Sequence, residues 1–337
     1  MYPLLFEPFL RTMVWGGEKI APFKGITTNI PKIGESWEIS GYREHQTPVA
    51  NGKYAGMLLN DLVALKKGEL VGEKVYREYG DEFPLLIKFI DARADLSIQV
   101  HPDDALAREL HGENARGKTE MWYVVGADPG AYLLSGLAQE MTPESYVEHI
   151  ENHTITDVLA RHEIAPGDVF FLPAGRIHAI GAGSFIAEIQ QTSDLTYRIY
   201  DYGRLGLDGM PRQLHTDKAK RAIDYKVYPS YKTDYTPVKN GETSLVSCPF
   251  FTTSLFALDD ADAVTRKDLR TLDSFVTLIC VEGAGTLTDH EPESDFRLPL
   301  RRGQSVLIPA TSQGISFACE PAIPGGASLK VLASWID

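Results

Sequence analysis

Residues 96 to 123, LSIQVHPDDALARELHGENARGKTEMWY, concentrate side chains able to hold a metal ion and to move protons. Ser97, Gln99 and His101 fall at every second position, and side chains two apart on a strand share a face. Lys118, Glu120 and Trp122 repeat that spacing and make a second polar row. A further imidazole, His178, follows the strand-like run Phe170 to Leu172 and a Pro173-Ala174-Gly175 turn. If these converge, two imidazoles, one carboxylate and one amide form a ligand set for a first-row metal. Nitrogen and oxygen donors with one open position suit zinc in a catalytic role.

The positions of these groups depend on the elements that carry them. Pro84 to Ile90, PLLIKFI, reads as a buried strand with Lys88 in its middle. That lysine either points inward, where it needs a partner or a polar cavity, or snorkels outward. Ser184 to Gln191 reads as a half-exposed strand with Ile186, Glu188 and Gln190 on one face. Thr196 to Tyr202 also alternates, with Thr196, Arg198, Tyr200 and Tyr202 together, which would fix the Arg198 guanidinium in one direction. Ile33 to Ser40 is a strand whose Glu38 lines a cleft or, the better reading, lies on a solvated outer face.

Helices decorate this framework. Residues 58 to 79 have apolar spacing broken at Gly68 and Gly72, predicting two short helices. A short helix after Pro102 is capped by Asp103 or Asp104. Thr142 caps another over residues 142 to 159, with Pro143 at its first position. A last basic helix spans Arg212 to Asp224. His149, His153 and His162 read as solvated residues rather than ligands.

Composition narrows the function. The chain has 337 residues, 43% of them hydrophobic, and a formal charge of -13. That balance excludes nucleic acid and anionic membranes as partners, since both need a basic surface. An anionic small molecule would need a local cluster of Lys and Arg. No apolar run reaches the about 18 residues of a membrane span, and the opening MYPLLFEPFL lacks signal-peptide features, so a soluble cytoplasmic protein is expected. Cys248, Cys280 and Cys319 form no CxxC pair and read as buried apolar residues.

An internal echo sets the architecture. APGDVFFLPA at Ala165 to Ala174 is matched by RGQSVLIPA at Arg302 to Ala310, each preceded by an apolar strand, Met121 to Gly126 and Phe275 to Gly283. The expectation is a mostly β fold, a duplicated jelly-roll barrel with added α-helices. Residues 1–235 would form the metal-binding domain with helical insertions, and 236–337 a second barrel. The second copy has Thr311-Ser312-Gln313 where the first reaches His178, so it would hold no metal.

SIQVHPDD, the K-x-E-x-W segment, FFLPAGRIHA and TYRIYDYGR, in this order, resemble the class I mannose-6-phosphate isomerases, in the short bacterial form. The resemblance implies a zinc-dependent cupin enzyme that interconverts mannose 6-phosphate and fructose 6-phosphate. It matches Gln99, His101, Glu120 and His178 to the ligands of one zinc per chain, and Arg198 to an active-site arginine. Ser97 falls at a substrate-contacting position, and Lys88 and Lys118 in the catalytic cleft. Such a reaction needs a base near neutral pH, for which a desolvated Lys88 or Lys118 is suited, with Glu188 as a third candidate. The alternatives are an iron-dependent cupin dioxygenase, disfavoured by a fourth ligand at Gln99, and a non-enzymatic sugar-binding cupin. The sequence leaves the oligomeric state open.

Overall fold

The computed structural model describes residues 1–290, 295–321 and 326–337. The N-terminal part carries β1 (Leu4–Leu5), β2 (Phe9–Gly17), β3 (Ile33–Ser40), β4 (Leu85–Asp91), β5 (Ile98–Val100) and β6 (Glu120–Ala127). It continues with β7 (Tyr132–Leu137), β8 (Leu159–Glu163), β9 (Val169–Leu172), β10 (His178–Ile180), β11 (Ser184–Gln191) and β12 (Tyr197–Tyr200). After residue 240 come β13 (Gly241–Cys248), β14 (Phe251–Leu258), β15 (Val264–Asp268), β16 (Val276–Asp289), β17 (Phe296–Arg301), β18 (Ser305–Ile308), β19 (Gly314–Cys319) and β20 (Leu329–Trp335). All ladders among the named strands are antiparallel.

The duplication is visible in strand order. One sheet of the first copy runs β3-β4-β11-β6-β9, and its counterpart runs β13-β14-β20-β16-β18. The opposing sheets are β5-β10-β7-β8 and β15-β19-β16-β17, where the long β16 serves both sheets of its copy. Gly283, at φ 78°, and a bulge between Cys280 and Glu282 bend β16 between its two sheets. The mostly β, duplicated jelly roll anticipated from the Pro-Ala echo is the observed fold.

Among the described residues, apolar side chains form four buried clusters, one of them around Leu134, Tyr146 and Ile199 against the β5-β10-β7-β8 sheet. Trp122, Val124, Phe170, Ile180 and Ile186 pack inside the first barrel, and Phe256, Leu278, Val306 and Phe317 inside the second. Between the copies, Phe89, Met121, Ala187 and Ile189 meet Leu255, Ile279, Leu307 and Leu332. This middle layer corrects the reading of β11 as half exposed. All eight of its residues are buried, because its outward face is covered by the second copy's sheet. β1 also crosses, pairing Leu4 with Leu307 of β18.

Glu38 is corrected by the same layer. Ser36 and Glu38, two apart on β3, share the face turned toward the second copy. There Lys24 Nζ lies 2.6 Å from Glu38, Ser36 donates to it at 2.5 Å, and Ser305 donates at 3.3 Å. The carboxylate therefore neither lines the cleft nor meets solvent.

The helices are shorter and more numerous than their apolar spacing predicted. Residues 58 to 79 form three pieces, α2 (Leu59–Lys66), α3 (Gly68–Val71) and α4 (Glu73–Tyr79), after an unforeseen α1 (Ile20–Lys24). Lys67 and Gly72, both at positive φ, make the breaks. Asp103 is the cap of α5 (Asp104–His111), accepting from the Leu106 amide. α6 (Pro143–Glu151) has the Thr142 cap, reinforced by Ser145, but stops before His153, which adopts φ 57°. The basic helix shrinks to α7 (Thr216–Ala222). Residues before it are held extended, since His215 N–H donates to the Arg198 carbonyl and Arg198 N–H to His215 Nδ1.

Register explains why one barrel carries a buried polar cluster and the other has apolar or small residues in its place. Glu120 pairs with Leu172 and Val276 with Ile308, each of the latter preceding Pro-Ala. Val276 thus stands where Glu120 does, and by the same ladders Ala333 replaces Glu188 and Ser254 replaces Lys88. Gly314, five residues after its proline, takes the place of His178. Ser312 instead donates to the buried Asp289. Ser312→Ala should cost about 1–3 kcal/mol of stability by removing that donor, and leave KM unchanged; denaturant melts and steady-state kinetics check both, and a KM shift would contradict a purely structural second copy.

Candidate metal centre and cleft

β5 leads into His101, β6 begins at Glu120 and β10 begins at His178, and these three strand ends meet inside the first barrel. His178 pairs directly with Gln99 across the ladder. His178 Nε2 lies 3.3 Å from one Glu120 oxygen, and His101 Nε2 lies 3.6 Å from the other. The three ligating atoms fall within 4.8 Å of one another, the sole such cluster among the described residues. Gln99 presents its amide to His178 Nε2 at 3.3 Å; a half-turn of that amide would bring its oxygen to the same place.

The surroundings of these groups fit a bound cation. His101 Nδ1 bonds the Leu195 carbonyl at 2.7 Å and His178 Nδ1 bonds the Arg176 carbonyl at 2.8 Å. A carbonyl only accepts, so each Nδ1 carries the proton and each Nε2 keeps a lone pair facing its partners. Burial, with the Lys118 and His178 charges, holds His101 well below the ordinary range, and burial takes His178 down to about 3. Both rings are therefore neutral, as ligands must be. Glu120 is wholly buried, and burial followed by repulsion from Glu188 raises it to about 7 against the pull of Lys118. Neither of its oxygens accepts a well-directed hydrogen bond. The Lys118 ammonium at 2.7 Å offsets part of the cost of burying this carboxylate, and a metal ion between Glu120 and the two imidazoles would offset more.

Lys118 sits beside the cluster, with Nζ 2.7 Å from Glu120 and 3.2 Å from His101 Nε2. Burial alone would lower its pKa, but Glu120 and Glu188 outweigh burial and raise it. This reverses the expectation of a lysine whose pKa desolvation brings down toward neutrality. Lys88 points inward, resolving its two orientations, and lies 3.3 Å from Glu188. Glu188 also accepts from the Trp122 indole at 2.8 Å. Burial raises its pKa, yet the Lys118 and Lys88 charges dominate and the net shift is downward.

A cleft of about 270 Å³ opens over this floor, sharing Gln99, Lys118, Lys88 and Glu188 with it. Ser97, Thr196 and Arg198 line one side. Arg198 donates through Nη1 to the Gln213 carbonyl at 3.0 Å, while its buried Nε has no partner. Tyr200 and Tyr202 do not join it. A bulge after Arg198 turns the strand, Tyr202 has φ 55°, and both rings pack under the small sheet.

Several lining residues escaped the sequence reading: Arg11, Glu35, Asp194 and Arg212. Arg11 bonds Glu35 at 3.1 Å and stacks at 4.9 Å on Trp37, whose ring also lies 4.9 Å from Lys88 Nζ. Glu35 and Trp37 stand two apart on β3 and so share a face, which was the available signal. Arg212 is held bidentately by Asp201, a pairing that no local pattern announces. The cleft thus has five cations, Arg11, Lys88, Lys118, Arg198 and Arg212, against Glu35, Glu188 and Asp194. That is the local basic cluster an anionic ligand requires on a chain of charge -13. His149, His153 and His162 lie outside the cluster.

The chain is similar to known proteins over most of its length. The family profile for phosphomannose isomerase type I, catalytic domain, matches residues 4–121. The chain is 33% identical to the mannose-6-phosphate isomerase ManA of Bacillus subtilis over 309 residues, 91% of this chain and 93% of that one. It is 32% identical to the mannose-6-phosphate isomerase of Streptococcus mutans, covering 94% and 95%. The crystal structure of the mannose 6-phosphate isomerase from Bacillus subtilis superposes with a TM-score of 0.83 at 29% identity, covering 99% of each chain.

Proposed function

This chain belongs to the type I phosphomannose isomerase family, and we propose that it interconverts mannose 6-phosphate and fructose 6-phosphate with one zinc ion per chain. The observation that carries this reading is the buried His101-Glu120-His178 cluster opening through Gln99 and Lys118 into a cationic cleft. Gln99, His101, Glu120 and His178 would hold the zinc. When bound, it would supply a Lewis acid beside the two substrate oxygens whose charge changes during isomerisation.

The chain's own residues would do the rest. Cleft cations bind the dianionic sugar phosphate, and Ser97 offers a hydroxyl to it. Lys118, kept charged by two carboxylates, suits donation of a proton or hydrogen bond to a substrate oxygen. Removal of the carbon-bound proton then falls to Lys88 or to Glu188, its neighbour at 3.3 Å. The unpaired Arg198 Nε is a donor preorganised for the negative charge of an enediolate. Residues 1–235 would supply all of this, and 236–337 would support it from behind the middle layer. The dioxygenase alternative gains nothing from the comparisons.

The proton-transfer route has its own test. Turnover of mannose 6-phosphate in deuterium oxide should place solvent deuterium at C1 of fructose 6-phosphate, read by proton NMR. Complete retention of the substrate hydrogen over many turnovers would exclude Lys88 as the base, since its ammonium mixes the proton with solvent deuterium, and would leave Glu188 or a hydride shift.

A further inference from the structure

A second concavity of about 630 Å³, more than twice the volume of the cleft, lies behind the metal centre. Its walls include Arg43, Arg108, Arg116, Tyr42 and Tyr79. Glu82 and Glu113 line it too, but Glu82 is committed to Arg116, which bonds it at 2.8 Å and stacks on Tyr79 at 4.7 Å. Arg43 lies over the Tyr42 ring at 5.3 Å and holds a backbone φ of 40°, a conformation that costs energy for a side chain with a Cβ. Neither Arg43 nor Arg108 has an ion-pair partner among the described residues. Uncommitted guanidinia beside two tyrosine rings, on a chain this acidic, form a site for an anion attached to an organic body.

Two short segments separate this pocket from the metal centre, and each contributes to both sides. Arg116 faces the pocket and Lys118 the cleft, while Ser193 and Leu195 face the pocket and Asp194 the cleft. The segments are tied together, since Ser193 Oγ donates to the Arg116 carbonyl at 3.0 Å. Leu195 supplies the carbonyl that orients His101. Gly117 is clamped: a Cβ there would lie 2.6 Å from the main chain at Asp103 and Asp104. A ligand drawn onto Arg43, Arg108 and Arg116 therefore bears on the same main chain that aims His101 and Lys118.

We propose that this pocket is an effector site for a phosphorylated small molecule, coupled to the metal centre through residues 116–118 and 193–195. The inference goes beyond the isomerase reading, and binding can be read without turnover. The probe is adenosine 5′-monophosphate, titrated calorimetrically into zinc-loaded protein whose cleft is saturated with fructose 6-phosphate. Binding is expected under that saturation, weakened at least about tenfold by Arg43→Ala/Arg108→Ala. By linkage the nucleotide should also shift KM about fivefold or more, the lower end of usual coupling. The single variant Arg108→Glu, on an exposed helix face, repeats the binding test should the double variant fold poorly. No binding with the cleft filled, or binding unaffected by these substitutions, would overturn the site. Binding with unchanged kinetics would overturn the coupling.

Discussion

His101→Ala is expected to empty the metal centre and take turnover to background. The ring supplies a neutral Nε2 held in place by the Leu195 carbonyl, and among the described residues no imidazole besides His178 belongs to the cluster. Disturbing only the groups behind a ligand costs about 10–100-fold in metal affinity, so losing the ligand itself should exceed that. Gln99→Ala should lose less, because a neutral amide is the weakest donor of the four. Elemental analysis after dialysis against buffered zinc gives both values. The fold should persist, since Trp122, Ile180 and Ile186 form a core that needs no ion, and a melt separates metal loss from unfolding. Retention of stoichiometric zinc by His101→Ala would place the metal elsewhere.

Arg198→Ala should lower kcat by about two to three orders of magnitude with zinc content unchanged. Removing one preorganised donor to a developing oxyanion costs about 3–4 kcal/mol. Arg198 has the features of such a donor. Its main chain is locked to His215 in both directions, Nη1 is anchored on Gln213, and Nε is buried and unpaired. Burial and the neighbouring Arg212 push its pKa down, so the site gains from a negative charge placed there. Arg198→Lys should rescue only part, because an ammonium cannot reproduce the planar fork. If Arg198 instead anchors phosphate, it binds ground and transition states alike. The substitution would then raise KM and spare kcat at saturation.

The clustering of His101, Glu120 and His178 was legible because each lies at a strand end, marked by alternation for the first two and by the Pro173-Ala174-Gly175 turn for the third. Glu120 and Lys118, or Gln99 and His101, needed no tertiary knowledge to be paired. The duplication was legible for the same reason, as two Pro-Ala turns closing equal strands. What failed was any statement about a face covered by distant chain. β11 was read as half exposed, and Glu38 as solvated, because a second sheet packing over them leaves no local trace. A bulge had the same effect beyond Arg198, since one extra residue inverts every later side chain. The sign of the Lys118 shift also needed structure. Burial alone lowers a lysine, and only the positions of Glu120 and Glu188 reverse it.

The central claim is that a metal in the first barrel drives aldose–ketose isomerisation of a sugar phosphate. The most direct measurement follows fructose 6-phosphate formed from mannose 6-phosphate in a coupled assay, before and after chelation and after adding back one equivalent of zinc. Turnover that is lost on chelation and restored by the single equivalent is the predicted result. Undiminished turnover in protein shown to be metal-free, or no turnover by the zinc-loaded protein, would contradict it.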